Sequence, residues 1–138
     1  MSIQQEIHFE SGLLNVDASG EFSLEEAQRA FLEVLGVVAQ YKAKTVLIDA
    51  RKVKEKPEIW QRFYYGVFAA TETMRLFNEH RIFPRFAYVV HPPLLDPQRF
   101  AETVALNRGM IGKAFETPEE AFKWLERTSA KKPAAADA

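Results

Sequence analysis

The chain has 138 residues, a formal net charge of -1 and no cysteine. It is 47 % hydrophobic and 27 % charged, which is typical of one soluble globular domain with a buried core. The near-neutral charge argues against nucleic acid or an anionic membrane surface as a partner. Without cysteine there are no disulfides or cysteine metal sites, and we expect a reducing, cytoplasmic setting. The sequence has no apolar run of the length and position that would predict a signal peptide or membrane insertion.

The start of the chain predicts a β-hairpin. Residues 3–10 alternate apolar and polar side chains, as in a strand with one face in solvent. Ser11 and Gly12 form a turn signal, and a second strand follows until Gly20 interrupts it. These two strands would pair antiparallel.

A capping box and a short apolar run predict the next two elements. Ser23 and Glu26 are spaced to satisfy each other's backbone amides, and apolar residues at helical spacing then extend a helix from Leu24 to Tyr41. Residues 45–48 are a threonine followed by a continuous apolar run, as in a strand buried on both faces, and we expect Asp49 to end it.

The rest of the chain continues the alternation of helices and strands. We predict a second helix from Pro57 to about Asn78, followed by a strand over 86–90. A third helix would start near Pro97 with Asp96 as its cap and end before Gly109. Residues 113–116 are a candidate short strand, and Thr117 would cap the last helix. This order predicts an α/β fold with a mixed, mostly parallel sheet of four or five strands and about four helices. Residues 1–128 would form one domain, and 129–138 a disordered tail.

Three segments in this order resemble the SpoIIAA-like branch of the STAS domain family, which is also similar to CRAL-TRIO lipid-binding domains. They read GEFSLEE at 20–26, VLID at 46–49 and FETPEEAFKWL at 115–125, and the resemblance covers residues 1–127. It implies a bacterial-type, non-enzymatic regulatory protein. The best-understood members are anti-sigma factor antagonists, which dock on a kinase and are switched by phosphorylation of a serine after the central strand. The matching segment here, 49–59, has no hydroxyl side chain, so the phospho-switch does not carry over.

The second helix contains the stretch WQRFYYGVF at residues 60–68, in which five of nine residues are aromatic. One stripe at helical spacing is predicted to face the core: Ile59, Phe63, Val67, Ala70, Met74 and Phe77. One face of a sheet cannot bury the remaining rings as well. They either pack on a neighbouring helix or form an interface or ligand groove with the residues Trp60, Arg62, Tyr64, Tyr65 and Phe68.

A basic segment follows the central strand and is a candidate anion-binding site. It contains Arg51, Lys52 and Lys54, and His91 ends the neighbouring strand. Ligands favour the carboxyl ends of parallel strands, and helix N-termini attract anions. The alternative is an ordinary solvated loop.

The sequence contains no recognisable catalytic pattern. Its three histidines lack metal-binding spacing, and Asp49 is an acid–base candidate that more often has a structural role. We therefore predict no enzyme, no metal and no cofactor. Two roles compete: a protein-interaction module, as a homodimer or with another protein, and a carrier or sensor of an amphipathic small molecule or lipid. In the second role the acyl part would lie among Trp60, Tyr64, Phe68 and Met74, and the anionic head group at Arg51, Lys52 and Lys54.

Overall fold

The computed structural model describes residues 3–54, 57–92, 94 and 99–130. Within them, strands and helices follow the order β-β-α-β-α-β-α-β-α that the sequence predicts. Their bounds are β1 (Ile3–Glu10), β2 (Leu13–Glu21), α1 (Leu24–Tyr41), β3 (Thr45–Lys54), α2 (Ile59–His80), β4 (Arg85–Val89), α3 (Phe100–Asn107), β5 (Ile111–Phe115) and α4 (Pro118–Ala130).

The five strands form one mixed sheet whose spatial order is the chain order, β1-β2-β3-β4-β5. β1 and β2 are antiparallel, as a hairpin requires. β2, β3, β4 and β5 are parallel to one another because a helix returns the chain to the start of each next strand. The predicted mixed, mostly parallel sheet is therefore confirmed.

Helices cover both faces of the sheet. The main core lies between the sheet and helices α1, α2 and α3, and a smaller cluster packs α4 on the other face. In β3, Val46 and Ile48 face the main core, whereas Leu47 faces α4. The continuous apolar run in β3 reflects burial on both sides.

Helix α1 begins where predicted, with the Ser23 half of the predicted capping box and not its Glu26 half. The side chain of Ser23 accepts a hydrogen bond from the backbone N–H of Glu26 at 3.2 Å. Glu26 also accepts from the backbone N–H of Ile3 at 3.1 Å, and Arg29 donates to the Ile3 carbonyl at 2.6 Å. The first turns of α1 are thus tied to the edge strand β1 as well as capped.

β3 is longer than predicted. It does not end at Asp49 but continues to Lys54, so the predicted end of the strand is wrong and residues 51–54 of the basic segment belong to β3. The reason is that β2 also continues through Gly20, which pairs with Val53, so the prediction that Gly20 interrupts β2 is wrong as well. Gly20 has φ +119°, a conformation that glycine adopts without strain.

A β-bulge lies in the extended part of β3. The register shifts between Asp17 and Ser19 of β2, so Ala50 and Arg51 together lie opposite Ala18. The extra residue shifts the alternation of side chains by one position, so Ala50 and Val53 are both buried with two residues between them. Arg51 and Lys52 are accordingly both exposed.

The last elements agree with the predicted order and refine its boundaries. α3 starts at Phe100, after Arg99 in a left-handed conformation with φ 53°; the predicted start at Pro97 and its cap Asp96 lie outside the described residues. The predicted cap of α4 is confirmed, because Thr117 accepts from the N–H of Glu120 at 3.2 Å. The optional strand near Phe115 is present as β5. α4 includes residues 129 and 130, which we predicted as tail; residues 131–138 are not described.

Within the part of the chain that the structure describes, none of the helices combines the length and the hydropathy needed to span a bilayer.

Candidate functional site

The first turns of α2 carry apolar side chains in solvent, which we call the aromatic patch: Ile59, Trp60, Phe63 and Tyr64. Ile59 is 72 % exposed, Trp60 54 % and Tyr64 53 %, whereas Phe63 is half-buried. The Tyr64 ring meets Trp60 and Phe63 edge-on, with ring centroids 6.3 and 5.4 Å apart. Clustered exposed aromatic residues are typical of contact surfaces, where Trp and Tyr contribute much of the binding energy.

The other residues predicted for this surface point away from the aromatic patch. Tyr65 and Phe68 pack against the main core. The guanidinium of Arg62 donates a hydrogen bond to the backbone carbonyl of Leu94 at 2.9 Å. The predicted aromatic arc therefore divides into an outward part and an inward part.

Most of the predicted core stripe of α2 is wrong, because only Ala70 of its six residues is buried and Ile59 is the most exposed of the large apolar side chains in the described residues. The buried residues of α2 are Gly66, Ala69, Ala70, Thr73 and Leu76. The reason is the close crossing of α3, where a Cβ on Gly66 would lie 2.8 Å from the carbonyl oxygen of Ala101. Such an approach requires small side chains at the contact, so the larger apolar ones lie on the flanks of α2.

Between the sheet and the three helices on its main-core face lies an apolar cavity of about 210 Å³. Its wall is unusually rich in alanine and glycine: Ala18, Ala27, Ala30, Ala50, Gly66, Ala69, Ala101, Ala105, Gly112 and Ala114. Well-packed interiors leave few voids larger than a water molecule. The small side chains in this layer therefore leave space that larger ones would fill.

Two tyrosine hydroxyls meet in the wall of this cavity. The hydroxyl oxygens of Tyr65 on α2 and Tyr88 on β4 are 2.8 Å apart, so one donates to the other. Burial raises the pKa of Tyr65 to about 12 and raises the pKa of Tyr88 well above its ordinary value. Both hydroxyls therefore keep their hydrogens at neutral pH.

Three cationic side chains also line the cavity, and none of them is buried: Arg62, Arg99 and Lys113. Arg99 donates to the carboxylate of Glu102 at 3.2 Å and to the carbonyl of Ala114 at 2.6 Å. Glu102 in turn accepts from the N–H of Ala114 at 2.9 Å. This network joins the start of α3 to β5 at the edge of the cavity.

The residues predicted to bind an anion lie on a strand rather than in a loop. The guanidinium of Arg51 donates to both carboxylate oxygens of Asp49, at 2.9 and 2.6 Å. His91 places its Nε2 3.1 Å from the carbonyl oxygen of Glu116. Lys52 and Lys54 are exposed, and an anion site there stays a prediction. The charge of Arg51 is thus paired with the carboxylate of Asp49 on the same strand.

Asp49 is poorly suited to act as a general base at neutral pH. Its hydrogen bonds to Arg51 lower the pKa of its carboxyl group, whereas a general base works best with a pKa near the operating pH. Among the described residues, no three His, Asp or Glu side chains cluster in a way that could hold a metal ion.

Sequence reasoning missed Tyr88 and the alanine-rich layer. Tyr88 carries a polar tip between the buried apolar residues Ala87 and Val89 of β4, and that was the available signal. Small residues are common in any sequence, so only their convergence in space identifies the cavity.

The fold is similar to that of an anti-sigma factor antagonist from Mycobacterium paratuberculosis, with a TM-score of 0.56 and 16 % sequence identity over 91 % of this chain and 95 % of that chain. A structure from Shewanella loihica PV-4, of an uncharacterised DUF3478-family protein with a SpoIIAA-like fold, matches with a TM-score of 0.48 and 21 % identity over 90 % of this chain and 93 % of that chain. No protein-family model and no curated protein sequence matches the chain. The likeness to the anti-sigma factor antagonist confirms the predicted SpoIIAA-like STAS fold.

Proposed function

We propose that the protein is a non-enzymatic regulatory binding module whose contact surface is the aromatic patch on α2. The observation that carries this proposal is the exposure of Trp60 and Tyr64, each with about half of its side chain in solvent. Aromatic side chains combine a large apolar area with few rotatable bonds, so burying them against a partner costs little entropy.

The partner that we propose is a second copy of the chain. A net charge of -1 produces little repulsion between copies, and the aromatic patch itself contains no charged side chain. A helix that packs on its own copy about a two-fold axis brings the same residues together from both sides.

The size of the aromatic patch predicts a weak dimer. Ile59, Trp60 and Tyr64 are each more than half exposed and offer roughly 300 Å² per subunit, since a large side chain such as an aromatic one buries about 150–250 Å² in full. A stable interface buries about 800 Å² per partner. The aromatic patch would thus be the centre of a wider contact, and we expect a dissociation constant on the order of micromolar.

We propose that this association works without phosphorylation of the segment after the central strand. Residues 49–59 contain no serine, threonine or tyrosine, and a phosphate needs a hydroxyl group to carry it.

Light scattering coupled to size-exclusion chromatography tests the proposal. We expect the wild-type protein to shift from monomer to dimer as its concentration rises, and Tyr64→Glu to weaken this association at least tenfold. Leu32→Glu is the matched control, because Leu32 is a similarly exposed apolar residue on α1 (47 %). A wild-type protein that stays monomeric at millimolar concentration contradicts the proposal, as does a Tyr64→Glu variant that unfolds while the control does not.

A second candidate function, a carrier or sensor of an amphipathic small molecule, is supported by the cavity. None of Trp60, Tyr64, Phe68 and Met74 is among its lining residues, so the acyl site predicted from sequence does not coincide with it. Apolar pockets with a few placed polar groups are the usual form of small-molecule sites. The lining includes Arg62 and Tyr65, two of the five residues predicted for a ligand groove.

Native mass spectrometry of the protein as purified, followed by melting curves with a panel of lipids and small amphiphiles, tests this second function. We expect either a bound small molecule or a rise in the melting temperature. A protein that carries nothing and responds to no compound contradicts the carrier role.

A further inference from the structure

We propose that the cavity binds a neutral, mainly apolar molecule of about eight non-hydrogen atoms, with one hydroxyl or carbonyl oxygen that accepts a hydrogen bond from the Tyr65–Tyr88 pair. This inference rests on the second candidate function and specifies its ligand. It departs from the anionic head group that the sequence predicts.

The volume of the cavity sets the size of the ligand. An engineered apolar cavity of about 150 Å³ in another protein binds benzene, which has six non-hydrogen atoms. The cavity here is about 210 Å³. Scaling by volume gives about eight non-hydrogen atoms.

The tyrosine pair sets the position of the polar group. Each hydroxyl is both a donor and an acceptor, and the two together carry two hydrogens. Among the described residues each hydroxyl bonds only to the other, which uses one of those hydrogens. A ligand oxygen in the cavity would accept the second.

The surroundings of the tyrosine pair favour a neutral ligand over a carboxylate. The low polarity that raises the pKa of both tyrosines would also penalise a buried carboxylate. Of the cations in the wall, Arg99 is paired with Glu102, and Lys113 is exposed to water. A charged head group near Arg62 is the competing arrangement, and the experiment separates the two.

The test is a titration of the full chain, followed by backbone NMR, with 1-heptanol and heptanoate as probes. 1-Heptanol has eight non-hydrogen atoms, and heptanoate has the same seven carbon atoms with a charged carboxylate at the end. We expect saturable 1-heptanol binding that shifts the amide signals of cavity residues, and heptanoate binding at least about tenfold weaker.

The double variant Tyr65→Phe/Tyr88→Phe removes the hydrogen-bond donors and keeps both rings. Replacing both partners of a buried hydrogen bond with apolar groups is nearly neutral for stability, so we expect the variant to fold. Its affinity for 1-heptanol should fall about fivefold, the usual effect of one hydrogen bond. The single Tyr→Phe variants are the controls, because each retains one hydroxyl that can donate to the ligand.

The outcomes distinguish two kinds of failure. If neither probe binds, or if the shifted amides lie outside the cavity, both the carrier function and this inference are overturned. If heptanoate binds as tightly as 1-heptanol, or if the double variant binds 1-heptanol as well as the wild type, the ligand assignment alone is overturned.

Discussion

Substituting Gly66 with alanine tests the close crossing of α2 and α3. A Cβ at this position would lie 2.8 Å from the carbonyl oxygen of Ala101 and 3.1 Å from the nearest methyl carbon of Val104. The carbonyl belongs to the backbone of α3, so it cannot move away without shifting the helix. α2 and α3 would therefore have to separate by roughly half an ångström to restore ordinary contact.

Two opposing contributions set the size of the effect. Overpacking of this kind costs about 1–3 kcal/mol, whereas alanine in place of glycine inside a helix gains about 1 kcal/mol. We therefore expect Gly66→Ala to destabilise the protein by about 1 kcal/mol. Unfolding entropy of about 2.1 cal/mol/K per residue, taken over 138 residues, converts this to a melting temperature lower by about 3–4 °C.

Gly36→Ala is the matched control. Gly36 lies inside α1, and a Cβ there meets nothing within 4 Å. The helix-propensity gain acts alone at this site, so the free energy of unfolding should rise by about 1 kcal/mol. Urea unfolding followed by circular dichroism measures both variants. If Gly66→Ala stabilises the protein as much as Gly36→Ala does, the proposed helix contact is wrong.

Two further substitutions test the buried hydroxyl of Thr73 and the ion pair between Arg51 and Asp49. Thr73 is fully buried and its hydroxyl is without a hydrogen-bond partner among the described residues, so Thr73→Val should raise the free energy of unfolding by about 1 kcal/mol. Loss of stability in Thr73→Val would show that the hydroxyl has a partner. Because Arg51 lowers the pKa of Asp49 in the folded state, their interaction stabilises the protein above about pH 4 and is lost as pH falls. Arg51→Gln should lower the free energy of unfolding slightly at pH 7, since solvent screens the partly exposed Arg51. The difference from wild type should vanish near pH 2, and a difference independent of pH would contradict the pairing.

Local patterns in the sequence identified the elements that depend on local interactions. The Ser23 cap of α1 and the threonine cap of α4 were predicted correctly because each joins groups within one turn of helix. The Glu26 half of the predicted capping box is wrong, because that carboxylate accepts from the N–H of Ile3, a residue distant in sequence. The end of β3 was predicted incorrectly because it depends on how far β2 extends, and β2 is a partner distant in sequence.

The candidate sites also combine features that the local sequence predicts with features that depend on residues distant in the chain. An excess of aromatic residues on α2 is visible in the sequence and led to the aromatic patch. Which of them face solvent depends on the rotation of α2, which the crossing with α3 at Gly66 fixes. Tyr65 is adjacent in sequence to the exposed Tyr64, yet it bonds to Tyr88 inside the protein.

The sequence by itself determined the order of strands and helices, most of their boundaries and hence the class of fold, because hydrophobic periodicity and caps act over a few residues. Only the tertiary structure decided which face of α2 is buried and where a cavity remains. Those features arise from the meeting of residues far apart in the chain, and the volumes that they leave between them cannot be read from local patterns.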